Sequence, residues 1–166
     1  MRMVDVGGKA PTAREAVARA LVVMSRATRD RIAAGEVEKG DVLAAARLAG
    51  VMAAKRTPDL VPLCHPVALA GVEVEVRTVA RGVEAVATVR ALDRTGVEME
   101  ALTAVAAACL TVYDMLKRYE RGMRIEAVEL LEKRGGRTGP WRRSPARRRV
   151  SAPGRRPRGR ATPARW

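Results

Sequence analysis

The order of apolar patterns along this chain predicts an α+β domain on the ferredoxin-like (split βαβ) plan, an antiparallel sheet with helices packed on one face. Three observations carry the prediction. Residues 96–118, GVEMEALTAVAAACLTVYDMLKR, are free of charge between positions 101 and 112, which marks a helix buried on most sides. VEVEVRTV after Gly71 and VEAVATVRAL after Gly82 alternate apolar with polar residues and form a hairpin turning at Arg81 and Gly82. Further alternating segments lie near both ends of the domain, with helical patterns in the gaps, so the order reads strand, helix pair, strand, strand, helix, strand.

Each element has a local reason. Residues 1–12 carry Gly7, Gly8 and Pro11 and predict an irregular arm. Residues 14–25, REAVARALVVMS, are rich in alanine, yet their period of two favours a strand. Residues 27–35 predict a short helix stopped by Gly35, and Asp41 is the N-cap expected for the next, which Pro58 ends at about Thr57. VPLCHP follows as a rigid loop, because its two prolines fix backbone angles and remove donors. The hairpin then places Val72, Val74 and Val76 on one face and Glu73 and Glu75 on the other. In the core helix, Glu98 and Glu100 suit the positive end of the dipole, and Lys117 and Arg118 suit the negative end. MRIEAVELLEK predicts the last strand, and Gly135, Gly136 and Gly139 a mobile loop.

Composition excludes several classes. At 166 residues, 48% of them apolar, the chain suits one domain with a real core, built without Phe. No apolar run reaches the roughly 18 residues of a membrane span, so no membrane partner is expected. The opening MRMVDVGGKAPTAREA lacks the apolar block of a signal peptide, which leads to the expectation of a cytoplasmic protein. Cys64 and Cys109 are too few for a disulfide framework, and His65 is the only histidine, so there is no zinc pattern. The net charge of +14 is concentrated at one end: residues 142–166 hold ten arginines and no acid, leaving +4 for the rest. That Arg/Pro-rich segment is expected to be a disordered tail beyond a domain of residues 1–141. Its partners, if any, are nucleic-acid phosphates bound without sequence preference, since only Trp141 and Trp166 are available to stack on bases.

The residues able to carry chemistry are few. His65 suits proton transfer, and the flanking prolines hold Leu63, Cys64 and His65 in one place, as a small-molecule site requires. Lys39 precedes a helix N-terminus, where its ammonium and the free N–H groups can receive a phosphate. Asp114 and Lys117, at i and i+3, can touch on one helix face; the plainer alternative for both is a surface pair. No P-loop, dinucleotide-binding glycine motif or nucleophile elbow occurs.

KGDVLAAARLAGVMAAKRTPDLVPLCHP together with TGVEMEALTAVAAACLTVYDMLK resembles the MoaC family of cyclic pyranopterin monophosphate synthases, over residues 3–139. The resemblance implies a ferredoxin-like subunit in a homohexamer built as a trimer of dimers, with active sites at dimer interfaces. It implies a lyase that rearranges 3′,8-cyclo-7,8-dihydroguanosine triphosphate to cyclic pyranopterin monophosphate with loss of pyrophosphate, in molybdenum cofactor biosynthesis. By motif, the catalytic residues fall on Asp114, Lys39 and Lys117, joined by His65 as a proton carrier that can exchange with Asp114. Substrate binding falls on Leu63, Cys64, His65, Met99 and Glu100, with Glu98 beside them and Arg14 near the phosphates. No tightly bound cofactor is implied. Magnesium can assist by bridging phosphate oxygens, but no carboxylate cluster dictates a metal held by the protein.

Two other classes compete. A nucleic-acid module on this fold needs exposed aromatics on its sheet, and the two hairpin strands have none. A regulatory ligand-binding domain without catalysis differs only in an assay.

Overall fold

The computed structural model describes residues 1–144. β1, Thr12–Val23, starts two residues earlier than the pattern predicts, because its pairing with the strand ending at Asp93 extends to Thr12. Ala16, Ala18, Ala20 and Val22 point inward and are fully buried, so the period of two decides against helix despite the alanines. α1, Arg26–Ala34, is capped by Ser25, whose hydroxyl accepts from Thr28 N–H, and ends at Gly35 in the left-handed conformation. α2, Val42–Ala54, begins at Asp41 as expected, with its carboxylate accepting from Ala44 N–H at 2.9 Å. Pro58 does not end this helix. It sits in the first turn of a separate short helix, α3 (Thr57–Leu60), where the missing N–H is not needed.

β2, Leu69–Val79, and β3, Gly82–Asp93, form the hairpin. Gly82 has φ +151°, and a Cβ there would lie 1.9 Å from the Val22 carbonyl oxygen, so only glycine fits. α4, Glu98–Leu116, crosses to β4, Arg124–Arg134, and a two-residue β5, Trp141–Arg142, pairs with its end. β5 is an addition to the expected order. Arg143 N–H also donates to the Leu131 carbonyl, so Arg142 and Arg143 belong to the sheet rather than to the tail. The expected tail beyond Ser144 lies outside the described residues.

The sheet order is β2-β3-β1-β4-β5, with every neighbour antiparallel. β1 and β2 both run against β3, so they are parallel to each other with β3 between them. β3 and β4 likewise flank β1. Each helical crossover therefore skips one strand, as in a split βαβ unit, and the α+β class holds.

α4 lies over β1 and β3, and α2 lies over β2 and against α4. Small residues set the distance between these layers. Ala101, Ala104 and Ala108 of α4 are buried in the same core as the alanines of β1 and β3, and at Gly50 a Cβ would stand 3.1 Å from the Ala104 carbonyl oxygen. By length and composition α4 could cross a membrane, contrary to the expectation that no segment reaches that length, but half of that apolar stretch is buried inside the domain, where the helix packs on the sheet and α2. The other sheet face is polar, with Arg90 paired to Glu15 at 2.7 Å, Arg77 to Glu84 at 2.6 Å and Arg19 to Glu129 at 2.7 Å. Val74 and Val76 are buried and Glu73 and Glu75 exposed, as the alternation predicts.

Candidate active site

Asp114 ends the exposed side of α4, and Lys117 caps the same helix one turn later. Lys39 arrives from the turn joining α1 to α2, where Gly40 adopts φ +94° and Asp41 starts α2. Each carboxylate oxygen of Asp114 takes one ammonium: Lys39 Nζ lies 2.6 Å from Oδ2 and Lys117 Nζ 2.6 Å from Oδ1. Lys39 also donates to the Asp114 backbone carbonyl at 3.1 Å. Hydrogen bonds from Lys117 and then Lys39 hold the Asp114 carboxyl down to about 2. The three groups line a cavity of about 380 Å³ together with Tyr113, Arg118 and Arg121. An ionised carboxylate between two ammonium groups fixes both in place, and either ammonium can then donate a proton, or a counter-charge, to a bound substrate.

A second cluster gathers at the other end of α4. Cys64, in the proline-bracketed loop, stands with Sγ 3.6 Å from Glu100 Oε1. Glu100 is 1% exposed, and its Oε2 has no hydrogen-bond partner among the described residues. Burial pushes the Glu100 carboxyl above its ordinary range, and burial followed by the Glu100 charge pushes the Cys64 thiol up to about 11. Leu63 and Met99, the sequence neighbours of Cys64 and Glu100, are exposed, and His65 is half-buried next to Cys64 in the chain. Glu98 folds back over Gly96, where a Cβ would fall 1.8 Å from its Oε2. A buried acid with one unpartnered oxygen can accept a hydrogen bond from an N–H group brought up to it.

Arg14 belongs to a third group on the approach to α4. Its guanidinium donates to the carbonyls of Asp93 and Arg94 at 3.3 and 3.2 Å, and Gly136 packs against it so closely that a Cβ would touch Nη1. The register explains the gathering. Thr12 pairs with Asp93, and Glu15 with Arg134, so the arm, the β3–α4 loop and the 135–138 loop meet at one sheet end. Lys9, Arg14, Arg94 and Arg137 line a cleft of about 640 Å³ there, and Thr95 and Gly96 connect it to the start of α4. Lys9, Arg94 and Arg137 were not singled out from sequence. The available signal was a basic residue next to or one removed from glycine in GGK, RTG and GGR, which a phosphate-cradling loop also shows.

One chain thus keeps two halves apart. Leu63, Cys64, His65, Glu98, Met99, Glu100 and Arg14 stand towards the N-terminal end of α4, and Lys39, Asp114 and Lys117 at its C-terminal end. Glu100 and Asp114 are separated by 14 residues, roughly 21 Å of helix at 1.5 Å per residue. His65 lies with Glu100, so proton exchange with Asp114 is not available inside one subunit. Among the described residues no group of three or more His, Cys, Asp or Glu side chains could hold a metal ion.

A sequence model of the MoaC family matches residues 3–136. The chain is 58% identical over 141 residues to the cyclic pyranopterin monophosphate synthase of Novosphingobium aromaticivorans, covering 85% of this chain and 90% of that one. It is 58% identical over 144 residues to the protein of the same name from Thermomicrobium roseum, covering 86% and 87%. For the Roseiflexus castenholzii synthase the identity is 59% over 140 residues, covering 83% and 89%.

Proposed function

The chain belongs to the MoaC family, and from that membership and the geometry above we propose that it is a cyclic pyranopterin monophosphate synthase of molybdenum cofactor biosynthesis. It rearranges 3′,8-cyclo-7,8-dihydroguanosine triphosphate and releases pyrophosphate. The observation that carries the reading is the Lys39–Asp114–Lys117 cluster, two ammonium groups on one carboxylate beside an open cavity.

In this reading the pyrimidinone edge of the substrate meets Glu100, whose free oxygen accepts ring N–H groups, while Leu63 and Met99 cover the ring faces. Arg14, Lys9, Arg94 and Arg137 hold the triphosphate, because pyrophosphate departure needs its developing charge neutralised. Asp114, Lys39 and Lys117 move protons at the reacting carbons, with His65 a further carrier beside the ring. No tightly bound cofactor is needed. Magnesium, where it takes part, arrives on the phosphates rather than on a protein carboxylate site.

The 21 Å between the halves calls for a second subunit. A two-fold axis that sets α4 antiparallel to its mate places Glu100 of one chain near Asp114 of the other and makes two composite sites, and a trimer of such dimers gives the homohexamer. Leu48, Met52 and Leu110, exposed on the outer side of α2 and α4, supply apolar surface for that contact. Free Cys64 and Cys109 and a nucleotide-derived substrate support a cytoplasmic place of action.

The test is to incubate the purified protein with the cyclic dihydro-GTP compound and measure pyrophosphate and the cyclic phosphate product. Binding of that compound without pyrophosphate release would instead indicate a ligand-binding domain.

A further inference from the structure

Lys39 stands on a turn framed by two glycines. Gly35 and Gly40 both take left-handed angles, φ +70° and +94°, and the lysine side chain is half exposed. Three contacts hold the turn against the end of α4. Val37 is buried in the core, the Glu38 carboxylate pairs with Arg118, and the Glu38 backbone N–H donates to the Tyr119 hydroxyl at 3.1 Å. The Arg118 pair is exposed at both ends and therefore holds weakly. Tyr119 is different. Its ring packs against the core on one side and carries the Arg31 guanidinium 5.0 Å from its centroid, so the position of its hydroxyl is set by the body of the domain.

We propose that Tyr119 is a positioning residue for Lys39, its hydroxyl fixing the backbone one residue before the lysine so that the ammonium meets Asp114. The contact joins the α1–α2 turn to the segment just beyond Lys117, so both ammonium groups are referred to the same stretch of chain. Tyr119 touches neither Asp114 nor the Lys39 ammonium in the structure and acts only through the backbone it holds. Its catalytic consequence rests on the synthase reading; the tether itself does not.

The experiment compares the full chain with Tyr119→Phe, which keeps the ring, its packing and the Arg31 contact and removes only the hydroxyl. Two readouts are used: the titration of the Asp114 carboxyl, followed by NMR with carboxyl-labelled aspartate, and turnover at saturating substrate. The groups facing Asp114 are Lys39 and Lys117 directly and Tyr113, Arg118 and Arg121 around the cavity, and the substitution alters none of them. With the tether lost, Lys39 spends less time on Oδ2, so the Asp114 midpoint rises, and turnover falls roughly three- to tenfold, the size expected for one neutral hydrogen bond. The melting temperature stays close to that of the parent. An unchanged Asp114 midpoint overturns the tether, and a raised midpoint with full turnover overturns its catalytic role. If the parent protein makes no product while the midpoint still moves, the tether stands and the synthase reading falls.

Discussion

Cys64 Sγ lies 3.6 Å from Glu100 Oε1, and the other carboxylate oxygen has no hydrogen-bond partner among the described residues. The domain therefore buries an acid whose hydrogen-bonding capacity is only partly used. Burial raises the Glu100 carboxyl above its ordinary 4.5, so the folded state binds this proton more tightly than the unfolded state. The contribution is most favourable below pH 4.5 and is lost as the pH climbs through the raised folded value. Glu100→Gln, neutral at every pH, should equal or exceed the parent in stability at pH 7 by about 1 kcal/mol and lose that advantage below pH 4.5. Turnover should drop at least about a hundredfold, because the amide presents a donor as well as an acceptor to the ring N–H groups. Denaturant melts at pH 4 and 7 with a pyrophosphate assay check both parts; a large loss of stability at pH 7 would show that the ionised carboxylate supports the fold.

Asp114 gives the opposite sign. Its folded value, about 2, lies below the ordinary 3.8, so its ion pairs favour the folded state above pH 3.8 and cease to do so as the pH falls through 2. Lys117 is the first cause of the shift and Lys39 the second. Lys117→Ala should therefore raise the Asp114 midpoint more than Lys39→Ala does, as read by carboxyl NMR. Both variants should fold normally, since both side chains are about half exposed, and each should lose at least about two orders of magnitude of turnover. Near-parental turnover in either would remove that lysine from the mechanism.

The end of the folded domain can be located by truncation. Residues 145–166 hold eight arginines and no acid, whereas Arg142 and Arg143 are tied to β4, with Arg142 paired to Glu132 at 3.1 Å and Arg143 to Glu129 at 3.2 Å. Removing residues 145–166 should leave the melting temperature and turnover close to the full chain while abolishing most salt-sensitive adsorption to nucleic acid. Removing residues 142–166 should also lower the melting temperature, because it takes away β5 and both ion pairs. Equal melting temperatures for the two truncations would mean that β5 contributes nothing.

Much of this arrangement could be read in the sequence because side-chain period reports burial directly. Ala16 to Val22 and Val83 to Ala91 alternate as a one-sided sheet must, and the uncharged run from Ala101 to Val112 announces the helix that covers them. β5 was hidden because Trp141 and Arg142 form a strand only through their partners on β4, and composition assigned Arg142 to the tail. Pro58 reads as a stop in the sequence because a proline just inside a new helix and one just past an old helix look alike there. For the site, Asp114 and Lys117 are neighbours on one helix and could be paired in advance. Lys39 reaches them over 75 positions, and Lys9, Arg94 and Arg137 meet only through the register of β1 with β3 and β4.

The separation of Glu100 from Asp114 leads to the strictest test of the composite site. The two side chains are fixed on one helix, so no loop motion brings them together, and the proposed composite site places them in one pocket only across two chains. Glu100→Ala and Asp114→Ala subunits should each be inactive alone. When they are mixed and allowed to exchange, a mixed pair places both lesions in one of its two sites and leaves the other intact. With random exchange half the pairs are mixed, so roughly a quarter of all sites should regain activity. The activity should appear at the rate of subunit exchange, followed by mass spectrometry of isotopically labelled subunits, and reach a plateau when exchange is complete. A mixture that exchanges fully and stays inactive would mean that each site is built within one chain, and α4 would then have to be read as a scaffold for two separate sites.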